Sequence, residues 1–317
     1  MQSPSGKAKQ FLVAAAKLLI VGLAFWFIWS RLSATGETDR ELFMTRVRQN
    51  FSPLSILALL ALSFFNRFFE ILKWQTLVSS FKKISVGESS KQVLAALTMS
   101  IFTPNGIGEY GAKALFFKKD RAKKIVFLNL ICNGVQLLVT VFFGILGLII
   151  FNLRFDVAGT RIIASVVAVI GLVLIFLYLA RSITIKGYSL KKLASKAGEL
   201  PLDVHRRNAI LAVMRYLVFS HQYLLMFRIL GVDIPYFDLM AIIASMYFLA
   251  SALPTMQMFD FAVKGGVAVY FFGVAGVNEW IPAFVSTAMW LLNVALPVLI
   301  GSYFVIRFKP KWSQSSS

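Results

Sequence analysis

The feature that most limits the fold of this chain is a series of six apolar runs, each of about 20 residues or more. They lie at 11–30, 53–72, 125–151, 161–180, 209–230 and 281–306. About 20 apolar residues are enough to cross the roughly 30 Å hydrocarbon core of a bilayer as a helix. Because backbone groups in lipid must be hydrogen-bonded within the segment, this pattern predicts an all-α, polytopic transmembrane helical bundle.

The first apolar run follows Lys7 and Lys9, a pattern that resembles a secretory signal peptide. The run is longer than the apolar part of a signal peptide, and bulky residues follow it where a small-residue cleavage site would be. We therefore expect residues 1–52 to contain a retained first transmembrane helix and an outer polar segment with a short surface helix.

Two further apolar regions, 91–117 and 238–273, are interrupted by Pro104 and Pro254. The arm that precedes Pro104 would reach only about 20 Å as a helix, which is too short to cross a bilayer. Proline lacks a backbone donor, and the nearby Gly106 permits a tight turn. Both regions are therefore predicted to be re-entrant helical hairpins.

Lysine and arginine, which give the chain a net charge of +19, are concentrated in short segments beside the apolar runs. These basic segments are the N-terminus, 73–91, 118–124, 181–208 and the C-terminus, whereas 231–237 and 274–280 contain neither residue. If 91–117 enters and leaves on one side, all the basic segments share that side, which the positive-inside rule makes cytoplasmic. Both termini of a multi-pass cell (inner) membrane protein are then expected in the cytoplasm.

This topology divides the chain into inverted repeats. Repeat 1 covers 53–151 with a cytoplasmic-side hairpin, and repeat 2 covers 209–306 with an outer-side hairpin. Residues 152–208 supply a linking helix and a basic, amphipathic cytoplasmic loop expected on the inner leaflet, and 307–317 form a cytoplasmic tail. Opposed broken hairpins in a transporter place a substrate site near the bilayer midplane.

Each broken region contains an acidic residue followed four positions later by lysine, as Glu109–Lys113 and as Asp260–Lys264. Residues four apart share a helix face and can pair. On a soluble surface such a pair would be routine, but inside an apolar hairpin it needs a protein-lined cavity. The recurrence at matching places predicts that both pairs line a central cavity.

Five more residues in the spans are candidates for the site. Arg67 and Glu70 share a helix face and can pair, and a guanidinium can hold a phosphate through two hydrogen bonds. With Trp74 they predict a clamp for an anionic headgroup, or else an interfacial anchor with a snorkelling arginine and a tryptophan at headgroup level. Arg215 and His221 interrupt the span 209–230; His221 is a candidate for proton transfer or for hydrogen-bonded packing.

Several other functions are excluded. The run Gly106-Ile107-Gly108-Glu109-Tyr110-Gly111 matches the dinucleotide fingerprint, but no strand precedes it and no βαβ unit surrounds it. The single cysteine, Cys132, lies in an apolar run, so no metal cluster, disulfide framework or other cofactor site is expected. The basic residues flank membrane spans and form no soluble domain, so no nucleic-acid partner is expected. No residue is assigned as catalytic.

A resemblance to a known family rests on Arg67 and Lys73-Trp74, on Phe102-Thr103-Pro104-Asn105-Gly106-Ile107-Gly108-Glu109, and on the Pro-broken second hairpin. This pattern resembles the lysylphosphatidylglycerol synthase transmembrane region, a flippase-like integral membrane family. The resemblance implies movement of phospholipid or a related lipid between leaflets and adds Asn105 to the candidate site. Members that aminoacylate lipid carry an added soluble domain, which is not found in this sequence, so lipid aminoacylation is not expected.

We therefore expect a lipid flippase or lipid-binding transporter without covalent chemistry, whose partner is a phospholipid or other lipid headgroup, anionic in character. One alternative is a membrane-embedded transferase on a lipid-linked substrate, with Glu109 or Asp260 as general base. The paired lysines disfavour it, because a nearby cation stabilises the ionised carboxylate. The other alternative is a membrane scaffold for a separate enzyme.

The predicted topology can be tested by thiol labelling of intact cells. Glu279→Cys lies in a loop expected outside, so it should react with an impermeant reagent. Lys119→Cys lies in a basic segment expected inside, so it should react only after permeabilisation. Equal labelling of both positions from outside would contradict the inverted arrangement.

Overall fold

The structure of the chain is a computed structural model. The residues it describes are 26–34, 36–103, 106–157, 179–184 and 189–308, with Leu19, Leu23 and Gly159. Within these residues the regular elements are helices and none is a strand, which confirms the predicted all-α class. Most of the predicted span 11–30, nearly all of the linking span 161–180, and Asn105 lie outside the described residues.

The described helices follow in the order that the apolar pattern predicts. Those of the first half are α1 (Glu37–Asn50), α2 (Pro53–Ser79), α3 (Val86–Ser100), α4 (Gly108–Ala114) and α5 (Ala122–Phe155). Those of the second half are α6 (Leu190–Gly198), α7 (Leu202–Ile229), α8 (Tyr236–Ala252), α9 (Asp260–Val274), α10 (Trp280–Trp290) and α11 (Leu296–Ile306). A π-helical turn, Leu291–Ala295, joins α10 to α11 into one continuous helix.

Four helices in the described part of the chain are long and apolar enough to cross a membrane. They are Pro53–Ser79, Lys119–Phe155, Leu202–Ile229 and Trp280–Ile306. Each covers a predicted span, except that Leu230 of the span 209–230 lies just past its helix, so the chain is a multi-pass membrane protein. Capping residues define where these helices begin. At α2, for example, the Ser52 hydroxyl accepts a hydrogen bond from the Ser55 N–H at 3.1 Å, and Pro53 occupies the first turn.

Both regions predicted to be broken are interrupted. In the first, α3 begins at Val86, five residues earlier than predicted, because the Ser85 hydroxyl caps the Glu88 N–H at 3.1 Å. In the second, α8 ends at Ala252 and α9 begins at Asp260 after an extended stretch and a single 3₁₀ turn. The re-entrant course of these regions through a bilayer stays a prediction.

The packing of the helices exchanges partners between the two halves. The first arm of each broken region packs against the last span of the other half, α3 against α11 and α8 against α5. The first spans of the halves, α2 and α7, pack against each other. This reciprocal pattern suits an inverted repeat, which itself stays a prediction.

Glycine permits the closest of these contacts. At Gly147 of α5, a Cβ atom would lie 2.7 Å from the Ala244 Cβ and 2.9 Å from the Ala241 carbonyl oxygen of α8. At Gly301 of α11, a Cβ atom would collide with the Leu94 carbonyl of α3. Apolar side chains gain little free energy by exchanging contact with lipid for contact with one another. Close packing through small residues is therefore an important source of helix association in a membrane.

Among the described residues, the loops that lack basic residues lie at one end of the bundle, and the basic segments 73–91 and 118–124 and the residues around Leu200 lie at the other. At one end, α1 lies against both such loops, since Asn278 Nδ2 donates to the Asp39 carbonyl at 3.1 Å and Arg46 to the Leu230 carbonyl at 3.2 Å. At the other end, Phe81 and Leu200 pack in an apolar cluster that also contains Ala114, Phe117 and Ala122. Helix α2 runs from the first end to the second, a distance of about 40 Å.

The glycine contact between α5 and α8 can be tested by a matched pair of substitutions in one helix. Gly147→Ala should destabilise the protein by about 1–3 kcal/mol, because the methyl group overpacks the contact with Ala244. Gly134→Ala should stabilise it by up to about 1 kcal/mol, because a Cβ at Gly134 meets nothing within 4 Å and alanine favours the helix. Thermal unfolding in detergent measures both, and equal melting temperatures would contradict the close contact.

Candidate functional site

Polar side chains occupy the middle of the long helices and contact one another. Asn66 lies at the midpoint of α2, Arg215 at that of α7, and Asn293 at that of the helix formed by α10 and α11. Asn66 Nδ2 donates to Asn293 Oδ1 at 2.7 Å, and Arg215 Nε donates to Asn66 Oδ1 at 3.1 Å. These contacts join three helices at the middle of their lengths.

Glu70 is the acidic centre of this network. Its Oε2 accepts from Arg215 Nη1 at 2.7 Å and from Lys73 Nζ at 3.3 Å, and the Cys132 thiol donates to Oε1 at 3.7 Å. Lys73 also donates to Gln136 Oε1 of α5 at 3.0 Å. One buried carboxylate therefore compensates two cations from two helices.

Arg67 does not form the predicted pair with Glu70, because it bonds elsewhere. Pro297 has no N–H to donate to the carbonyls four and five residues earlier, which leaves those of Leu292 and Asn293 open. Arg67 Nη2 donates to the Asn293 carbonyl at 2.6 Å, and Ser63 Oγ donates to the Leu292 carbonyl at 2.7 Å. The proline and its π-turn thus hold the guanidinium in place, while its Nε is buried with no partner among the described residues.

The first predicted hairpin pair is present and lies deep. Lys113 Nζ contacts Glu109 Oε1 at 2.5 Å, donates to Asn129 Oδ1 at 2.7 Å, and lies 4.3 Å from the centroid of the Trp74 ring. Lys113 and Trp74 are fully buried. Trp74 also donates through Nε1 to Gln92 at 2.7 Å. Its burial does not fit a tryptophan at headgroup level.

The second predicted pair is also present but is more open. Lys264 Nζ contacts Asp260 Oδ2 at 2.5 Å, and the two side chains remain 20% and 17% exposed. Lys264 Nζ lies 5.2 Å from the centroid of the Tyr247 ring. The two ion pairs are therefore equivalent in spacing but differ in their access to solvent.

The two breaks meet beside these pairs. The Met258 N–H donates to the Ile101 carbonyl at 3.1 Å, and Ser100 Oγ lies 3.5 Å from Gln257 Oε1. Trp290 Nε1 donates to the Gln257 carbonyl at 2.9 Å. The broken region of one half is therefore bonded directly to that of the other.

A cavity of about 510 Å³ lies where the breaks and the mid-span polar residues converge. Of the predicted site residues, its walls contain Arg67, Glu70, Glu109, Arg215, Asp260 and Lys264. The uncharged polar residues that line it are Asn66, Tyr110, Asn133, Gln136, Tyr216, Tyr247, Gln257 and Asn293. Lys113 lies behind Glu109, and Trp74 lies behind Lys113.

His221 lies away from this cavity. Its Nε2 is hydrogen-bonded to the Tyr236 hydroxyl at 2.9 Å, and its Nδ1 to the Leu217 carbonyl at 2.8 Å. Both ring nitrogens are thus used in local contacts, an arrangement that fits hydrogen-bonded packing.

The eight uncharged polar residues that line the cavity did not enter the sequence-based set. Gln136, Gln257 and Asn293 are among them. The signal for Asn293 is a lone amide in an apolar span four residues before a proline, and for Gln136 an amide near mid-span that follows Asn129 and Asn133. Gln222, which accepts from Asn293 Nδ2 at 2.9 Å, carries the same signal.

The charges of the network favour an anion. Five cations belong to it, namely Arg67, Lys73, Lys113, Arg215 and Lys264, against three carboxylates, namely Glu70, Glu109 and Asp260. Cations in excess at a buried site can hold a phosphate through charge-assisted hydrogen bonds. In the described part of the chain, no group of three or more His, Cys, Asp or Glu could hold a metal ion.

Comparison with known proteins identifies one family. Residues 14–259 match the family described as the lysylphosphatidylglycerol synthase TM region, which covers most of the chain, whereas Asp260, Lys264 and Asn293 of the cavity lie beyond the matched residues. No curated protein matches the chain.

The different burial of the two ion pairs gives a testable contrast. Glu109→Gln leaves the fully buried Lys113 ammonium without its carboxylate and should destabilise the protein by about 3–5 kcal/mol. Asp260→Asn should cost clearly less, because Lys264 keeps access to solvent. Thermal unfolding in detergent measures both changes.

The double substitution Glu109→Gln with Lys113→Met serves as the control. It removes both charges together and should recover most of the stability. Equal effects of Glu109→Gln and Asp260→Asn, with no recovery in the double variant, would mean that Lys113 is solvated.

Proposed function

Because the chain belongs to the lysylphosphatidylglycerol synthase transmembrane region family, we propose that it moves an anionic lipid between leaflets by holding the headgroup in the central cavity. The acyl chains stay in the membrane, and no covalent bond is made or broken. The observation that carries this proposal is a mid-span cavity lined by three cations and three carboxylates, behind whose wall two further buried lysines, Lys73 and Lys113, belong to the same polar network. Ionisable residues at this depth are costly unless they serve a ligand or a conduction path.

Arg67 is the residue proposed to contact the phosphate. In the described part of the chain it pairs with no carboxylate, unlike Lys113, Arg215 and Lys264. One nitrogen is fixed on the Asn293 carbonyl, which orients the planar guanidinium at the cavity wall. A fixed guanidinium loses little rotational freedom when a phosphate arrives, so it suits recognition of a phosphate better than a flexible lysine.

The broken regions are proposed to act as the two gates. In this proposal the halves are inverted repeats, and each break closes the cavity toward one side of the membrane. The bonds between Met258 and Ile101 and between Gln257 and Ser100 hold the breaks together, and their separation would open the cavity. We propose that the basic end of the bundle and both termini face the cytoplasm and that the protein lies in the cell membrane.

The cavity carboxylates are proposed to balance charge and not to transfer protons. Glu109 and Asp260 each contact a lysine at 2.5 Å, and Glu70 bonds two cations. A carboxylate whose oxygen is already held by a cation is not free to take a proton from a substrate, which disfavours it as a general base for a lipid-linked transferase.

Two roles of Arg67, binding of a headgroup and the structural hydrogen bond to the Asn293 carbonyl, can be distinguished by mutation. In the background Pro297→Ala, residue 297 regains an N–H that can serve the Asn293 carbonyl, so Arg67→Leu no longer leaves it unpaired. Protein is purified in detergent, and the retained lipids are identified by mass spectrometry. Arg67→Leu in this background should retain on the order of tenfold less anionic phospholipid, because charge-assisted hydrogen bonds are lost.

The matched control is Arg48→Leu in the same background, since Arg48 is exposed on α1 and should leave retention unchanged. Arg67→Lys should recover only part of the retention, because an ammonium lacks the planar fork. Equal retention by the Arg67→Leu and Arg48→Leu proteins would reduce Arg67 to a structural role. A covalently altered lipid would favour a transferase, and no selective retention in any protein would favour a scaffold.

A further inference from the structure

A second cavity, of about 820 Å³, lies at the basic end of the bundle. We name it the basic cleft. It lies between the start of α5 and helix α6 and combines two kinds of wall. Its cations are Lys123, Lys124 and Lys196, and its apolar residues are Val126, Phe127, Leu128, Leu130, Leu193 and Leu200.

The charges of the basic cleft favour an anionic amphiphile. Two carboxylates also line it, Asp120 and Glu199, and Asp120 pairs with Arg121 at 3.4 Å. Cations therefore outnumber carboxylates at the rim, whereas the floor is apolar. This is the arrangement that holds a phosphate over acyl chains, and the surrounding segment 118–124 is basic throughout except for Asp120 and Ala122.

One face of α5 connects the basic cleft to the central cavity. Lys123, Phe127, Leu130, Gly134 and Leu137 follow one another at spacings of four and three residues, so they lie on one stripe of the helix. Lys123 and Phe127 line the cleft, Gly134 and Leu137 line the central cavity, and Leu130 lines both. From Lys123 to Gly134 the stripe rises about 16 Å.

The stripe is open to the membrane beside it. Leu130 is 43% exposed and Leu137 is 54% exposed, and a Cβ at Gly134 would meet nothing within 4 Å. A lipid whose headgroup moves along this face can thus keep its acyl chains in the bilayer. Leu130 is the one residue common to the walls of these two cavities.

We propose that the basic cleft is a loading site for an anionic phospholipid from the leaflet at the basic end, and that its headgroup passes Leu130 and Gly134 into the central cavity. This inference rests on the proposed function, since it supplies the route to the same cavity. The basic cleft is then a second binding site, formed by the lysines at the start of α5 and on α6. Leu130 is the side chain that a headgroup must pass to reach the central cavity.

The experiment follows movement of an acyl-labelled fluorescent phosphatidylglycerol between leaflets of phosphatidylcholine vesicles that contain the full chain. The double variant Lys123→Gln with Lys196→Gln should lower the initial rate roughly tenfold, because lysines near the surface attract the anionic headgroup. The matched control removes the same charge from exposed lysines at the same end that do not line the cleft, by Lys83→Gln with Lys91→Gln. It should move lipid at the parent rate.

Two substitutions at Leu130 test this passage in opposite directions. Leu130→Trp should slow movement at least fivefold by filling the passage. Leu130→Ala should raise the rate, an outcome that misfolding cannot produce. If both variants move lipid like the parent, or if both lysine pairs slow it equally, the route along α5 is overturned.

A parent protein that moves no phosphatidylglycerol would overturn the proposed function. In that case the amount of phosphatidylglycerol that copurifies with each variant tests separately whether the basic cleft is a binding site. Lower retention by the Lys123 and Lys196 variant than by the Lys83 and Lys91 control would support a site there. Equal retention by the two would overturn it.

Discussion

The shared ion pair of Glu70 with Lys73 and Arg215 is the interaction on which the arrangement of the long helices most depends. Lys73 is fully buried, and Arg215 reaches Glu70 from another helix at 2.7 Å. In lipid, apolar side chains gain nothing by leaving the solvent for one another, so polar contacts and close packing set the register between helices. Glu70, together with the amides beside it, therefore fixes the depth at which the helices align. The cavity follows from that alignment, because side chains that need polar partners cannot all be covered by apolar ones.

A second constraint is the proline in the last span. Pro297 leaves two backbone carbonyls in the middle of the last span without a donor from their own helix. Ser63 and Arg67 of α2 donate to these carbonyls instead. Irregular backbone at this depth is tolerated only where protein or a polar cavity satisfies it. The π-turn centred on Asn293 is thus both a structural defect and the feature that orients a guanidinium toward the cavity. A helix interruption and a binding group are here parts of one local arrangement.

The sequence predicts the helices and the breaks well, because apolar run length and proline are strong local signals. It also predicts the ion pairs of Glu109 and Asp260 with lysines four residues on, since that spacing settles geometry within one helix. It fails where a partner lies far along the chain. Arg67 was expected to bond its neighbour Glu70 but instead bonds Asn293, 226 residues away. The lone amides of the spans were overlooked for the same reason, because only tertiary packing reveals their partners.

The exchange of partners between the halves bears on how the chain is made. Helix α3 packs against α11, and Thr98 of α3 bonds the Val298 carbonyl of α11, 200 residues later. During synthesis α3 can pack early against α2 and α4, as in the hydrogen bond between Trp74 and Gln92, but its contact with α11 waits until the last helix has entered the membrane. Until then the face of α3 that packs against α11 must be covered by lipid, water or an assisting protein. The first half of this chain therefore reaches its final packing only at the last step of synthesis, when its closing helix arrives from the other half.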